Sequence, residues 1–322
     1  MSKKSVNKVT KKTCDYSVPK KKKRFKREYF ELYALMAIPI LLVLVFNYLP
    51  MGGIVIAFKN YKFNKGIWGS AWVGLKNIEF FFKSDVIWRI TRNTIVLNLL
   101  FIGVELLCGL AIAVLLYEVV SRRAVKVFQT TLITPNFVSW VVASYIVYAI
   151  LNPNSGILNS IIEAFGGTPV DWYSNAKMWP VILVICDVWK HVGMGSIWYY
   201  AALMGVDTTL IESAKIDGAN RWQVMKQILI PLIVPIIVIR FILAIGGIFR
   251  ADFGLFYQVT RNVPLLYETT DVIDTYIFRA MREDGNMSMS AAVGLLQSII
   301  GFIMVMITNA ITKKINPDNA LM

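Results

Sequence analysis

A long apolar stretch in the first half of the chain decides the fold. Residues 94–120 read TIVLNLLFIGVELLCGLAIAVLLYEVV, in which Glu105 and Glu118 are the charged residues. A helix of about 20 apolar residues is long enough to cross the hydrocarbon core of a bilayer. Because backbone polar groups cannot stay unpaired in lipid, a spanning stretch of this kind must be helical. The stretch is therefore predicted to be a membrane-spanning helix.

The composition of the whole chain is that of a membrane protein. Of its 322 residues, 56% are hydrophobic and 17% are charged, whereas soluble domains average roughly 25% charged residues. Six stretches are long and apolar enough to span a bilayer. They are residues 33–58, 94–120, 130–151, 179–206, 231–248 and 290–312. The predicted fold class is all-α, a polytopic membrane bundle of six transmembrane helices. Internal prolines at Pro39, Pro50, Pro135 and Pro235 predict kinks without loss of spanning.

Lysine and arginine residues are unevenly distributed. The net charge is +14, and 12 of the 34 basic residues lie in residues 1–27. With six spans both termini lie on one side, which carries 20 basic residues in its loops and tails against 12 on the other. Basic segments stay in the cytoplasm, so N- and C-termini are predicted to be cytoplasmic. The basic tail is expected to touch the anionic lipid bilayer, with nucleic-acid binding as the less favoured alternative.

The chain has little of the chemistry that catalysis requires. His191 is the single histidine, and no second histidine or cysteine stands near it at metal-ligand spacing. The chain has no glycine-rich phosphate loop, so no cofactor is expected in it and any ATP must be hydrolysed by another chain. The three cysteines, Cys14, Cys108 and Cys186, do not suggest a disulfide framework. Two functions stay open as alternatives to transport driven by ATP: a membrane-embedded glycan- or lipid-modifying enzyme, and an ion-driven secondary transporter.

The segment between the fourth and fifth predicted spans, residues 206–231, has the pattern of two short helices joined by a turn. Thr208 or Thr209 is expected to cap a first helix that ends near Ile216. Gly218 permits a left-handed turn, because glycine has no Cβ to oppose that backbone conformation. The segment is therefore predicted to form a compact structure on the cytoplasmic surface.

The second short helix is expected to begin near Asn220, with Pro231 starting the fifth span. Its helical spacing places an apolar ridge on one side. The ridge consists of Trp222, Met225, Ile228 and Leu229. An exposed apolar ridge indicates a docking surface, and a ridge packed against the chain's own bundle is the alternative.

The segment contains Glu212, Ser213 and Ala214, then Gly218 and finally Pro231, and with this spacing it resembles the permease subunits of bacterial carbohydrate ABC importers. Their pattern is Glu-Ala-Ala, three residues, Gly, nine residues, then Ile-x-Leu-Pro. The matching residues are Glu212, Ser213, Ala214, Gly218, Ile228 and Pro231, with Ser213 in place of alanine and Ile230 in place of leucine. Asp217-Gly218-Ala219 is also similar to the form common in carbohydrate permeases. Residues 72–77, 154–159, 252–260, 269–276 and 291–298 resemble the LplB/YtcP-like branch, and the similarity covers about residues 30–314.

The resemblance implies an ABC type I importer (MetI-like) permease fold. It further implies a subunit of the bacterial cell membrane that carries an oligosaccharide substrate. The implied partners are a second homologous permease, an ATPase dimer that binds ATP and Mg, and an extracytoplasmic solute-binding protein. Glu212 would contact the ATPase. The expected organisation is a tail (1–29), a first helix with its outer loop (30–92), a permease core (93–314) with the coupling loop 206–231, and a C-terminal tail (315–322).

Polar residues inside the fourth span are candidates for the substrate pathway. Asp187, Lys190 and His191 share one helix face, which Met194 and Trp198 continue. Charges in a bilayer are expected to face the bundle interior or a water-filled path. The alternative is an internal ion pair of Asp187 with Lys190 that fixes packing. Further candidates for the pathway are Trp140 and Tyr257; the partners of Glu105 and Arg240 are left open.

Overall fold

The computed structural model describes residues 27–83 and 86–315. Most of the predicted basic tail and residues 316–322 lie outside the described residues. The chain divides into two compact units, Met1–Gly52 and Gly53–Met322. In the first unit, helix α1 (Arg27–Val43) contains Pro39 and continues as a π-helical turn over Leu44–Tyr48. The tail and core boundaries expected from the sequence stay predictions.

In the described part of the second unit, the regular structure is helical except for one short antiparallel strand pair. In it Lys59 pairs with Trp72 and Asn60 with Ala71. A 3₁₀ helix, Leu49–Phe58, leads from the first unit into the second. The strands are β1 (Lys59–Asn60) and β2 (Ala71–Trp72), and the helices are α2 (Gly66–Gly69), α3 (Lys76–Lys83), α4 (Val86–Glu118), α5 (Arg122–Ile133), α6 (Trp140–Leu151), α7 (Ile157–Ala164), α8 (Trp179–Met204), α9 (Thr208–Ile216), α10 (Arg221–Val224), α11 (Ile230–Gly246), α12 (Tyr267–Thr270), α13 (Ile273–Arg282) and α14 (Met287–Ile315).

Five helices of the described residues are long and apolar enough to cross a membrane on their own. They cover Leu32–Phe58, Val86–Glu118, Ala176–Met204, Arg221–Gly246 and Met287–Lys314. The third predicted span is instead a broken pair, Arg122–Phe137 with Trp140–Leu151, bent by 98°. Pro135 lies in the 3₁₀ turn at the break, and Ser139 caps α6 by accepting from the Val142 backbone N–H. The all-α, polytopic prediction is confirmed, and the break lies in the predicted span that contains Pro135.

Two span boundaries differ from the predictions. Helix α4 begins at Val86, eight residues before the predicted start. The fifth span begins at Arg221, because a π-helical turn over Met225–Leu229 joins α10 directly to α11. Pro231 does stand at the start of α11, as predicted, although the continuous helix begins ten residues earlier. Proline fits there because the backbone N–H of an early position in a helix is the one least needed.

The centre of the second unit is the contact between α4 and α8, where small residues let the helices approach closely. A Cβ on Gly109 would lie 3.4 Å from the Tyr199 ring and 3.6 Å from the backbone of Gly195. Ser196 is fully buried, and its hydroxyl donates to the Gly193 carbonyl. Small residues at helix contacts are typical of membrane bundles, where van der Waals packing replaces the hydrophobic effect.

The segment between the fifth and sixth spans, residues 247–286, folds into short helical pieces and is called the outer segment after its predicted side of the membrane. Buried Asp271 holds it together, because Arg279 Nη2 lies 2.6 Å from one carboxylate oxygen and Arg89 Nη2 lies 3.2 Å from the other. Asn93 donates from α4 to the backbone carbonyls of Glu268 and Asp271. These bonds fix α12 and α13 to the end of α4.

Candidate coupling surface and membrane polar cluster

Helix α9 begins and ends with defined caps. The Asp207 carboxylate accepts from the Thr209 backbone N–H at 2.9 Å, so the helix is capped by Asp207 and not by Thr208 or Thr209 as predicted. Hydrogen bonding with Thr209 lowers the pKa of the Asp207 carboxylate. At the other end Gly218 has φ +83°, as the left-handed turn requires. The Gly218 N–H donates to the Lys215 carbonyl and the Ala219 N–H to the Ala214 carbonyl, which is a Schellman arrangement.

Helix α10 starts with a reciprocal capping box. Asn220 Oδ1 accepts from the Gln223 N–H at 2.8 Å, and Gln223 Oε1 accepts from the Asn220 N–H at 2.7 Å. The predicted start near Asn220 is thus confirmed. Because the chain then runs without a break into α11, any force on α10 acts directly on the fifth span.

The predicted apolar ridge is divided between two environments. Met225 and Leu229 are only 3% and 1% exposed. Together with Ile211 of α9 they pack against Tyr199 and Leu203 of α8. Trp222, in contrast, is 79% exposed. The prediction of a single exposed apolar ridge is therefore wrong, because one side of α10 and of the π-helical turn after it packs against the bundle.

A different set of residues faces outward, which we call the coupling surface. Its members are Leu210, Glu212, Ser213, Ile216, Asp217 and Trp222, all exposed. Ile216 is 86% exposed. Ser213 does not occupy a packed position, and its hydroxyl donates to the Thr209 carbonyl at 2.9 Å. Of the other predicted coupling residues, Ala214, Ala219 and Ile228 are half-buried, and Gly218 and Pro231 are exposed.

The predicted charged residues of α8 are brought together, but with partners other than those expected. Asp187 Oδ1 lies 3.0 Å from His191 Nδ1. Lys190 Nζ donates to the carbonyls of Asn136, at 3.1 Å, and Val138. The suggested ion pair of Asp187 with Lys190 is therefore wrong. Lys190 instead satisfies the backbone carbonyls freed at the break between α5 and α6.

Trp140 completes this polar cluster. Its indole lies 5.1 Å from Lys190 Nζ and meets the His191 ring edge-on at 6.0 Å. Its Nε1 donates to Asp252 Oδ2 at 2.6 Å. Asp252 was part of a family-like stretch but was not predicted as a site residue, because its neighbour across the bundle is not visible in the sequence. We refer to Trp140, Asp187, Lys190, His191 and Asp252 as the break cluster.

The helix face of α8 that carries Asp187, Lys190 and His191 continues toward the C-terminal end of the helix. There it lines a separate cavity of about 630 Å³ between α8 and α11. Trp198, 58% exposed, and Arg240 both line it. Arg240 Nη2 lies 2.9 Å from Glu105 Oε1, which answers the open question of their partners. Met194 is exposed one turn before Trp198 on α8.

Tyr257 lies in the outer segment, five residues after Asp252 of the break cluster. Its ring stacks on Phe253 at 4.9 Å and meets Phe278 edge-on at 5.0 Å. The seven predicted pathway residues therefore occupy three places. Four belong to the break cluster, Met194 and Trp198 lie further along α8, and Tyr257 packs with Phe253 and Phe278. Within residues 27–83 and 86–315, no group of three or more His, Cys, Asp or Glu residues is arranged to hold a metal ion.

Apolar spans, charged groups at membrane depth and a helical surface tied to two spans define a polytopic membrane transport protein. The chain belongs to the family of inner membrane components of binding-protein-dependent transport systems, whose model matches residues 105–317. The predicted family resemblance is confirmed. As a transport permease it is not an enzyme, and the alternatives of a membrane enzyme and an ion-driven carrier are not favoured.

Two similar proteins come from Bacillus subtilis (strain 168). The polygalacturonan/rhamnogalacturonan transport system permease protein YteP is 34% identical over 287 residues, which is 89% of each chain. Protein LplB is 35% identical over 289 residues, covering 89% of this chain and 90% of LplB. A solved bacterial alginate ABC transporter, in complex with alginate pentasaccharide-bound periplasmic protein, contains a chain that matches with a TM-score of 0.80. That match has 30% identity and covers 89% of this chain and 96% of the other.

Proposed function

We propose that this permease carries oligosaccharides, derived from polysaccharides, into the cell at the expense of ATP hydrolysed by a partner. The names of YteP and of the alginate transporter, which refer to polygalacturonan, rhamnogalacturonan and alginate, support a saccharide cargo. The positive tail and loops favour cytoplasmic N- and C-termini.

The proposed complex has four kinds of component. A second, homologous permease chain completes the pathway, and a dimer of ATPase subunits binds ATP and Mg on the cytoplasmic side. An extracytoplasmic solute-binding protein delivers the sugar, which the periplasmic protein in the alginate complex supports. This chain supplies no cofactor, and its own residues transmit motion and line the path.

The observation that carries the proposal is the two-sided build of the α9–α10 segment. One side is exposed and includes Glu212, Ile216 and Trp222, while the other packs on Tyr199 and Leu203 of α8. When the ATPases close around ATP, they push on the coupling surface and thereby displace α8 and α11 together. Movement of rigid helices about a site near mid-membrane is the general logic of transporters.

The polar stripe of α8 is the proposed path for the sugar. His191, Met194 and Trp198 follow one another along that helix, with Trp140 beside the first of them. Hydroxyl groups of a sugar exchange hydrogen bonds with polar side chains, and its ring faces pack on aromatic rings. The same helix therefore carries both the path and the contact with the coupling surface.

Co-purification tests the coupling surface. Glu212→Lys places a positive charge where the ATPase is proposed to dock, and it is expected to abolish recovery of the ATPase with the tagged permease. Glu163→Lys is the matched control, because Glu163 is an exposed glutamate on α7, at the end of the molecule opposite α9 in the proposed topology. Equal ATPase recovery with both variants would refute the proposed docking site.

Thiol labelling tests the proposed orientation. Ile216→Cys and Phe165→Cys replace exposed apolar residues, 86% and 88% exposed, in a background whose native cysteines are changed to serine. A membrane-impermeant maleimide is expected to label Phe165→Cys in intact spheroplasts and Ile216→Cys only after lysis. The reverse pattern would place the coupling surface outside the cell and overturn the mechanism.

A further inference from the structure

A small polar cavity lies between α6 and a stretch that comprises the end of the π-helical turn Leu255–Val259 and the residues that follow it. Its volume is about 230 Å³. The side chains with polar groups in its wall are Ser144, Tyr145, Tyr257, Gln258, Arg261 and Asn262, of which Tyr257 is a predicted pathway residue. The neighbouring cavity of about 590 Å³ between α6 and α8 is lined almost entirely by apolar residues. The small cavity is thus suited to a polar ligand, whereas its larger neighbour is suited to lipid or apolar side chains.

Arg261 is the cation of this cavity. Its guanidinium lies 4.2 Å from the centre of the Tyr148 ring, which holds it in a cation–π contact. Among the described residues no carboxylate forms an ion pair with it. Arg279, in the same outer segment, is by contrast paired with Asp271 at 2.6 Å. Arg261 is therefore positioned by an aromatic ring while its charge remains available to an anion.

The backbone at Arg261 is held in an uncommon conformation. Arg261 has φ +55° and Asn262 has φ +50°, two consecutive residues other than glycine in the left-handed region. Asn262 is held in place, since its Oδ1 accepts from the Tyr267 hydroxyl at 3.0 Å and from Arg279 Nη1 at 3.3 Å. Strained backbone that the surroundings maintain is concentrated at ligand sites. The strain here directs the guanidinium toward α6.

The cavity also lies close to the break cluster. Gly254 abuts the Trp140 indole so closely that a Cβ would overlap the ring. Ser144 and Tyr145 lie one turn beyond Trp140 on α6, and Arg261 lies two turns beyond Gly254. Because α6 leads from the break toward the outer loop, a substrate entering from outside meets Arg261 before it meets the break cluster.

We infer that this cavity binds the carboxylate of a uronic acid unit, so that the permease selects acidic oligosaccharides. The inference rests on the proposed saccharide transport and adds the charge of the cargo. A guanidinium and a carboxylate form two parallel hydrogen bonds, which fix both distance and direction. The Gln258 amide can donate to the carboxylate, while Ser144 Oγ, whose hydrogen is donated to the Val141 carbonyl, can accept from a sugar hydroxyl. The exposed ring of Tyr145 offers a face to the sugar.

The test compares uptake of an oligogalacturonate and of its methyl ester, in which each carboxylate is neutral. The complete complex is reconstituted with its binding protein, and uptake is measured for wild type, Arg261→Gln and Arg261→Lys. The ratio of acid to ester uptake in each variant is divided by the same ratio in wild type. Discrimination by the binding protein cancels in this double ratio, because that protein is identical in every sample.

For Arg261→Gln, the double ratio is expected to fall at least about tenfold below one. A fall of this size corresponds to the loss of a charge-assisted hydrogen bond. Arg261→Lys keeps the charge and is expected to lie between wild type and Arg261→Gln. The matched control is Arg282→Gln, an exposed arginine that also lies over an aromatic ring, that of Phe278 at 5.8 Å, but outside the cavity. Its double ratio is expected to stay within about twofold.

A double ratio near one for both Arg261 variants would overturn the inference, as would an equal fall for Arg282→Gln. If Arg261→Gln does not assemble, Arg261→Met, which keeps the apolar stem and removes the charge, takes its place under the same criterion. A wild-type complex that hydrolyses ATP but transports neither ligand would contradict the proposed cargo rather than this site.

Discussion

At the scale of single residues, the lysine inside the fourth span has a structural explanation. The break between α5 and α6 frees backbone carbonyls at membrane depth, where water cannot satisfy them. Lys190 donates to two of them, at Asn136 and Val138, and is itself buried. A costly charge in the bilayer is therefore compensated by the carbonyls that it pairs.

Lys190→Met is expected to destabilise the purified chain, since it removes the donor and leaves both carbonyls unpaired. The expected loss is about 1–3 kcal/mol for each carbonyl. The midpoint of unfolding in mixed micelles, titrated with sodium dodecyl sulfate, measures it. Lys177→Met, which changes an exposed lysine at the start of the same span, is the control. Equal midpoints for the two variants would contradict the role given to Lys190.

Gly193 gives a second residue-level prediction, because a Cβ there would overlap the carbonyl of Leu132 at the break. Gly193→Ala is expected to destabilise the chain by about 1–3 kcal/mol, the usual cost of overpacking. Gly103→Ala, with nothing within 4 Å of the added Cβ, is expected to stabilise it by about 0.5–1 kcal/mol. Opposite signs in thermal unfolding would support the close contact, and a stabilised Gly193→Ala would contradict it.

At the scale of elements, the sequence predicted the turn and the helix starts within residues 206–231 better than it predicted how these helices pack. The turn at Gly218 and the start near Asn220 follow from residues close in sequence, and both were found. The first cap was misassigned because two threonines, which can also cap a helix, follow Asp207, although aspartate is the more favoured capping residue. The ridge was misassigned because burial of Met225 depends on Tyr199, a residue of another helix.

Helix α13 of the outer segment carries a pH-dependent stability prediction. Burial raises the pKa of Asp274 above its ordinary value of 3.8, although the Ala251 N–H and Gln297 donate to its carboxylate. In the window above 3.8 the unfolded chain loses this proton before the folded chain does, so stability falls as the pH rises. Below that window the contribution of Asp274 is fully present.

Asp274→Asn is expected to remove this part of the pH dependence. The difference in melting temperature between variant and wild type should therefore shift in favour of the variant as the pH is raised from 4 to 7. Tryptophan fluorescence during heating provides the measurement. Asp284→Asn removes the same charge at an exposed position and controls for net charge. A difference that moves in favour of wild type with rising pH would contradict the sign.

At the scale of the whole molecule, composition predicted the membrane class and the number of apolar stretches, because spanning depends on length and hydropathy. The meeting of Trp140 with Asp252, 112 positions apart, and of Glu105 with Arg240, 135 apart, could not be predicted. Such pairs depend on how the helices pack, and one sequence without its fold does not contain that information. The division of the candidate pathway into three places has the same cause.

Helix α8 contacts most of the parts that matter to transport. It packs on the coupling segment through Tyr199 and Leu203, holds the break through Lys190 and Gly193, and borders the α8–α11 cavity with Trp198. A displacement of α8 therefore changes all three regions together. In the proposed mechanism, a push at the coupling surface reaches the proposed pathway through α8, without any chemistry in this chain.

Two tryptophans on opposite faces of α8 allow a test of which face borders the sugar pathway. Trp198 and Trp189 are nine residues apart, which places them about 180° apart around the helix. Trp198 lines the α8–α11 cavity, whereas Trp189 lines the apolar cavity between α6 and α8. Trp198→Ala is expected to lower sugar uptake about two- to tenfold, the loss of an aromatic contact. Trp189→Ala, matched in size and helix, should leave uptake per assembled complex unchanged. Uptake into proteoliposomes at equal complex content measures both, and a larger loss at Trp189 would place the pathway on the opposite face of α8.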